Sequence, residues 1–519
     1  MAKRKQLGDL KCIPINLQLV KYKVIPTIDS IIKLQPFFPP IETLFKVDSL
    51  ENVQSYGIKF PEQILSISDT LKLSSGEVPY HSKNTMLVSP FKWMKGNFGS
   101  IDLPMSSTNA EKIHKKLQSQ HNAGYVGSLL SIVLSKCQHF PKVYGVFTGT
   151  AKEHIIDISD DYEDLCDEPW FSQNIGKTFE LKLNSEVGQT IEYSRKAKLG
   201  LQFGDEEITL EDIQTLDTEE IEAQPAELKQ IFEEENKDSD SESVSTSELF
   251  EIESMASSFN ESWDSEEEDE SFAWAKFKNV PVQITLMEKL EGTLYELLKE
   301  SDHSKHLAWI GQIIFALAYA QRNFAFTHND LHGNNIMYQK TTKEFLYYST
   351  EGKTYKLPTY GYLLKIIDFD RGIGSVKLQG MKESRLFMSD QFNFCEEAGG
   401  QYNCAPFYTH KAPSIKPNPS FDLTRLATAL FWDIYPEGPE FGEYQNYPVF
   451  KLFIKWMTLD DGSVLFFKHN PKVDRFIGFS LYKAIAKFSR NAVPQKEISV
   501  LSEFLNDCPV EETLLVIED

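Results

Sequence analysis

Residues 327–337 read THNDLHGNNIM, and residues 364–370 read LKIIDFD. The first stretch gathers two histidines, one aspartate and three asparagines into eleven positions. The second is an apolar run that ends in acids, the pattern of a buried strand leading into a loop. Asp330 and Asp368 are therefore expected on two loops, the first directly after a helix. That helix is expected over 306–322, where 307–320 (LAWIGQIIFALAYA) supplies the apolar residues of a buried element. Its apolar run is shorter than the roughly 18 residues a membrane span requires, and it contains Gln312.

The spacing within 327–337 points to a chemistry. In-line phosphoryl transfer needs a carboxylate that orients the attacking hydroxyl and takes its proton, and oxygen ligands for the magnesium that neutralises the phosphates. Asp330 suits the first task; Asn335 and Asp368 suit the second. The five-residue step from Asp330 to Asn335 lets one tight loop aim a carboxylate at the substrate and return an amide oxygen to the metal. His328, Asp330 and Asn335 form an H-x-D-x-x-x-x-N loop, and a following Ile-Ile-Asp-Phe strand end makes chance agreement rare.

With these residues in view, the chain resembles eukaryotic-type protein kinases of the divergent branch that carries D-L-H in the catalytic loop, as haspin-like kinases do. The segments HNDLHGNNIMY, LPTYGYLLKIIDFDRG and PSFDLTRLA are similar to serine/threonine kinases of large nucleocytoplasmic DNA viruses such as the mimiviruses. The resemblance covers residues 65–490 and is specific over 280–435. It implies an α+β, two-lobed protein-kinase-like fold, with a small β-rich lobe and a larger, mainly helical one. It further implies a serine/threonine protein kinase using ATP and Mg2+, with Mn2+ as a substitute, and protein substrates. In that scheme His328 packs and orients the loop, Asp330 is the catalytic base, Asn335 and Asp368 bind metal, and Asp422 braces the loop from a helix. Met287, Glu288 and Leu290 form the adenine hinge. His332 stands where a lysine usually meets the transferred phosphate, and the expectation is that His332→Lys keeps or raises phosphotransfer at neutral pH.

The small lobe departs from the family. No G-x-G-x-x-G loop and no V-A-I-K strand occur, so residues 73–76 (LSSG) are the candidate phosphate-covering turn. Lys92, read as ending a strand over 85–92, is the candidate phosphate-contacting lysine, paired with Glu111 on the next helix; Lys95 competes with it. Asp370 replaces the glycine of the D-F-G triplet, which implies a fixed loop, a third metal ligand or lost catalysis. No A-P-E follows, which leaves the acceptor open. Aminoglycoside and choline phosphotransferases share an H-x-D-L-H-x-x-N loop, so a small-molecule acceptor is an alternative, and a nucleotide-binding pseudokinase scaffold is another.

Outward from the motifs, three regions are expected. Residues 1–60, with prolines at 14, 26, 36, 39 and 40, read as an irregular extension. Residues 61–288 read as the small lobe, holding an acidic, partly disordered insertion over 151–275; residues 289–519 read as the helical lobe. Formal net charge is -23, yet residues 151–270 contain 37 acidic and 8 basic residues, so the rest of the chain is mildly basic. Residues 233–270 are dominated by Glu, Asp and Ser, a composition that predicts disorder, and Ser239, Ser241, Ser243 and Ser265 are phosphate-acceptor candidates in a segment that reads equally well as a solvated spacer. Six cysteines without a CxxC pair suggest a reducing intracellular compartment, either host cytoplasm or virion in light of the viral resemblance. Composition gives no nucleic-acid or membrane signal, and the oligomeric state is open.

Overall fold

Strands rich in β-branched and aromatic residues build the largest sheet of this mixed α/β structure, a computed structural model that describes residues 14–47, 50–99, 106–159, 161–184, 272–299, 301–393, 396–407, 415–416, 418–467, 474–476, 478–506 and 515–517. In chain order its strands are β1 (Ile31–Gln35), β2 (Tyr80–Met86), β3 (Val143–Asp157), β4 (Glu180–Leu183) and β5 (Ala273–Glu288). All pairs are antiparallel, in the order β1-β3-β5-β2, and β4 pairs with the first residues of β5 where β2 does not reach. Val280, Val282, Ile284 and Leu286 of β5 are fully buried, as a central strand requires. Helix α1 (Ala123–Leu134), capped by the Asn122 side chain on the Gly124 N–H, lies on this sheet, where the Ser128 and Thr285 hydroxyls bond at 2.7 Å.

One expectation about this half is corrected. Residues 1–60 are not an irregular extension over their described part. Leu19–Lys21 pairs with Tyr56–Ile58, β1 joins the main sheet, and Ile15, Phe38, Ile41 and Ile58 are core residues. The prolines shorten the strands without preventing edge pairing. The described part of the stretch read as an acidic, partly disordered insertion, up to Asn184, holds the end of β3, the helices Tyr162–Asp167 and Pro169–Asn174, and β4, with Phe171 and Phe179 buried. The serines proposed as phosphate acceptors, and the disorder expected over 233–270, lie outside the described residues.

The second half combines helices with short hairpins. Helix α2 (His303–Phe324) starts at Asp302, whose carboxylate accepts the Ser304 N–H at 2.9 Å, and most of its residues are buried. Strand β6 (Ile336–Lys340) pairs antiparallel with β7 (Tyr362–Ile366), Ile336 opposite Ile366. That register decides where the site forms, because it sets the end of 327–335 beside the start of 367–371. Helices α3 (Phe421–Ile434) and α4 (Phe479–Phe488) approach the same point. Among the described residues no helix is long and apolar enough to cross a membrane.

Candidate active site

Two short loops meet at the open end of the β6–β7 pair. The Ile367 N–H donates to the Asn335 carbonyl at 3.0 Å, and the His328 ring donates from Nε2 to the Ile367 carbonyl at 2.8 Å. Asp422, fully buried in α3, accepts the His328 N–H at 3.0 Å on both oxygens and the Asn329 N–H at 3.1 Å. Burial pushes its carboxyl up to about 6, against the pull of these donors. Asn329 and Asp368 both adopt left-handed backbone, with φ of 67° and 61°, a conformation that short polar side chains tolerate better than others. Asn329 is further fixed by the Tyr402 hydroxyl on its Oδ1 at 2.5 Å and by its own amide on the Arg371 carbonyl at 3.0 Å.

The acids face different partners. Asp330 Oδ1 accepts the Tyr482 hydroxyl of α4 at 2.7 Å, and Oδ2 accepts Arg371 at 3.0 Å. Burial alone would raise the Asp330 carboxyl, but the Arg371 guanidinium, with His332, Arg425 and the Tyr482 bond, holds it well below the usual carboxylate range. Asn335 Nδ2 donates to the Asp330 carbonyl and to His332 Nε2, both at 2.9 Å. His332 is therefore an acceptor, and burial, which drives its pKa down to about 4, keeps it neutral. Its ring braces the Asn335 amide, a role that residue type and spacing do not disclose.

Lys83 of β2 is the lysine that reaches these loops. Its Nζ lies 2.6 Å from Asp368 Oδ1 and 3.0 Å from Asp370 Oδ2. Burial would lower the Lys83 pKa, but the two carboxylates raise it; Asp368 is held low by Lys83, whereas burial lifts Asp370. Lys92 and Glu111 do not form the expected pair. Strand β2 ends at Met86, and Ser89-Pro90 opens a short helix, Pro90–Met94, whose Ser89 hydroxyl accepts the Lys92 N–H. Ser-Pro is a helix-start signature, and it overrides the strand reading of 85–92. Lys92 instead pairs with Glu396 at 2.7 Å, Glu111 is exposed on the helix Ser107–Leu117, and the Lys95 ammonium lies over the Phe91 ring.

Met287 is buried and Leu290 half-buried where β5 ends; the Glu288 N–H donates to the Lys142 carbonyl at 2.9 Å, and its carboxylate pairs with Lys365. Residues 73–76 form the turn between the strands Leu71–Leu73 and Gly76–Val78, with the Ser75 hydroxyl on Glu62. A narrow cavity is lined by Asp330, Asp368, Asp370, Arg371, Thr85 and Lys116 among others.

As to a metal, Asn335 has committed its amide nitrogen, so its oxygen is the atom left to act as a ligand, together with a carboxylate oxygen of Asp368. Among the described residues no group of three or more His, Cys, Asp or Glu could hold a metal ion. Two protein oxygens completed by phosphates is the habit of Mg2+, which binds through one or two protein ligands and keeps the rest for water and substrate. The residues present fit that ion.

No family model matches the chain. A stretch is 41% identical over 58 residues to the serine/threonine-protein kinase haspin of Mus musculus, covering 11% of this chain and 8% of that protein. Haspin of Bos taurus is 40% identical over 58 residues, 11% of this chain and 7% of that protein. An uncharacterized protein of Caenorhabditis elegans is 30% identical over 80 residues, 15% of this chain and 27% of that protein. The chain thus matches less than a third of the length of each of these relatives, and what it has in common with haspin is one short kinase-like region.

Proposed function

We infer that the chain is an ATP-dependent phosphotransferase of the two-lobed protein-kinase kind, acting on serine or threonine hydroxyls of proteins. On this reading the β1–β5 sheet with α1 is the small lobe and residues 289–519 are the large one. The single observation that carries it is the junction of the two loops: Ile367 is bonded to both Asn335 and His328, which ties the loop that holds Asp330 and Asn335 to the loop whose Asp368 meets the Lys83 ammonium. Asp330, kept ionised, orients the acceptor hydroxyl and receives its proton as the phosphoryl group departs from ATP. Lys83 contacts the nucleotide phosphates, and Met287, Glu288 and Leu290 border the adenine. Asn335 and Asp368 would hold Mg2+, whose charge neutralises the phosphates. The haspin similarity supports the choice of a protein acceptor.

The test is incubation with labelled ATP, Mg2+, a mixed protein substrate and a pool of small metabolites. Label on protein serine or threonine, lost in Asp330→Asn, is the expected result. Label on small molecules alone selects the aminoglycoside- or choline-type reading. Binding of Mg-ATP without turnover, unchanged by Asp330→Ala, selects a pseudokinase scaffold.

A further inference from the structure

A buried ammonium that contacts phosphate needs a second carboxylate to hold it, because the first is shared with the metal. The sequence leads one to expect that carboxylate from a helix. Helix α1, which packs on the sheet beside Lys83, reads AGYVGSLLSIVL and carries no acid. Lys83 finds its second carboxylate elsewhere: Asp370 Oδ2 lies 3.0 Å from Nζ. Thr85, two positions along β2 and so on the same face, donates its hydroxyl to the same oxygen at 3.0 Å.

The other oxygen of Asp370 faces α1 at Gly127. A Cβ on Gly127 would fall 2.0 Å from Asp370 Oδ1 and 3.3 Å from the Asp370 Cα. Any side chain there would expel the carboxylate from its place beside Lys83. The helix is thus bare of acid and open at one position, and the aspartate that fills the opening stands where a flexible glycine is expected. Asp370 Oδ2 is engaged by both Lys83 and Thr85, and Oδ1 is packed against α1 at Gly127.

We propose that Asp370 is the positioning residue for Lys83, taking over the work of a helix glutamate, and that Gly127 is the complementary gap that admits it. The assignment rests on the phosphotransferase reading above.

The experiment measures kcat/KM for Mg-ATP and the dissociation constant of a fluorescent ATP analogue. Variants are Asp370→Asn, Asp370→Gly, Lys83→Met, Lys83→Met with Asp370→Asn, and Gly127→Ala alone and with Asp370→Gly; thermal melting of each checks folding. Loss of a charge-assisted hydrogen bond predicts at least about a tenfold fall in kcat/KM for Asp370→Asn and Asp370→Gly. The Lys83→Met double variant is expected to be no worse than Lys83→Met alone, because Asp370 acts through that lysine. Gly127→Ala is expected to cost a similar factor in the wild type and nothing further beside Asp370→Gly.

Additive losses at Lys83 and Asp370 would overturn the assignment. So would an Asp370→Asn variant that keeps its KM for ATP and shifts only its Mg2+ requirement, since that is the behaviour of a metal ligand. Wild-type protein that binds no Mg-nucleotide defeats the phosphotransferase reading itself, so the wild-type binding measurement separates the two failures.

Discussion

The Asp422 carboxylate accepts the backbone N–H groups of both His328 and Asn329, across 94 and 93 residues of chain. One buried side chain in α3 thereby sets the path of the loop that carries Asp330. Asp422→Ala leaves two buried N–H groups without an acceptor, at about 1–3 kcal/mol each. The expected outcome is a loss of roughly 2–6 kcal/mol in unfolding free energy by denaturant titration, and phosphotransfer reduced more than nucleotide binding.

Tyr482 touches the other side of the same loop, through Asp330 Oδ1. Tyr482→Phe removes one hydrogen bond from an ionised acceptor, a change of about 1–3 kcal/mol. The Asp330 carboxyl then becomes more basic. Phosphotransfer is expected to persist, with the acid limb of the kcat against pH profile moved upward; an unmoved limb would show that this hydroxyl does not tune Asp330.

His332→Lys gives a result opposite to the one the residue's position in the motif suggests. The ring accepts a hydrogen bond from Asn335 at 2.9 Å, which an ammonium cannot do, and the site already faces Arg371 and Arg425. Phosphotransfer at neutral pH should fall at least about tenfold, the effect of losing roughly 1.4 kcal/mol in the positioning of Asn335. His332→Gln, which retains an acceptor, should be milder. Steady-state kinetics with varied Mg2+ separates a displaced metal ligand from a lost cation.

Stability should fall in mild acid. Burial drives His81, His139, His154, His306 and His332 down to about 4 from an ordinary 6.5. Between those values the unfolded chain binds protons that the folded chain refuses. The stabilisation is full above about pH 6.5 and is lost as pH falls toward 4. Asp422, raised to about 6, works in the opposite direction over part of that range, since its contribution is present below about 4 and lost as pH rises through 6. Asp370, Asp390, Glu396 and Asp474, also raised by burial, act with Asp422, and His303, also lowered, acts with the five histidines, whose shifts span this whole range; the midpoint of denaturant unfolding should therefore decline from pH 7 to 4.5, with net proton uptake on unfolding.

Much of the site could be read from residues 327–337 and 364–370 because closely spaced polar residues stand between apolar runs, and such residues are brought there by chemistry rather than packing. Lys83 could not. A single lysine in the strand YHSKNTM resembles any solvated side chain until the loop opposite is known, and Ser89-Pro90, which moves Lys92 into a helix, is a two-residue signal inside an apolar stretch. The strand β3 extends past the apolar residues 143–147 although Lys152 and Glu153 are both exposed, because pairing with β5 decides where propensity says little. β1 is five residues long between prolines, and only its partner reveals it. His332 shows a different barrier, since which nitrogen carries the proton depends on a neighbour that sequence order does not identify.

The pairing of β4 with β5 has one further consequence. The Asn184 N–H donates to the Phe272 carbonyl at 2.9 Å, so the two ends of whatever spans 185–271 are already adjacent. Met287 and Glu288 sit at the far end of β5, which at about 3.3 Å per residue is tens of ångströms away. The register near Lys83 is thus decoupled from the length of chain between Asn184 and Phe272: a short Asn-Gly turn joining those two residues would leave every ladder bond of the site with its partner.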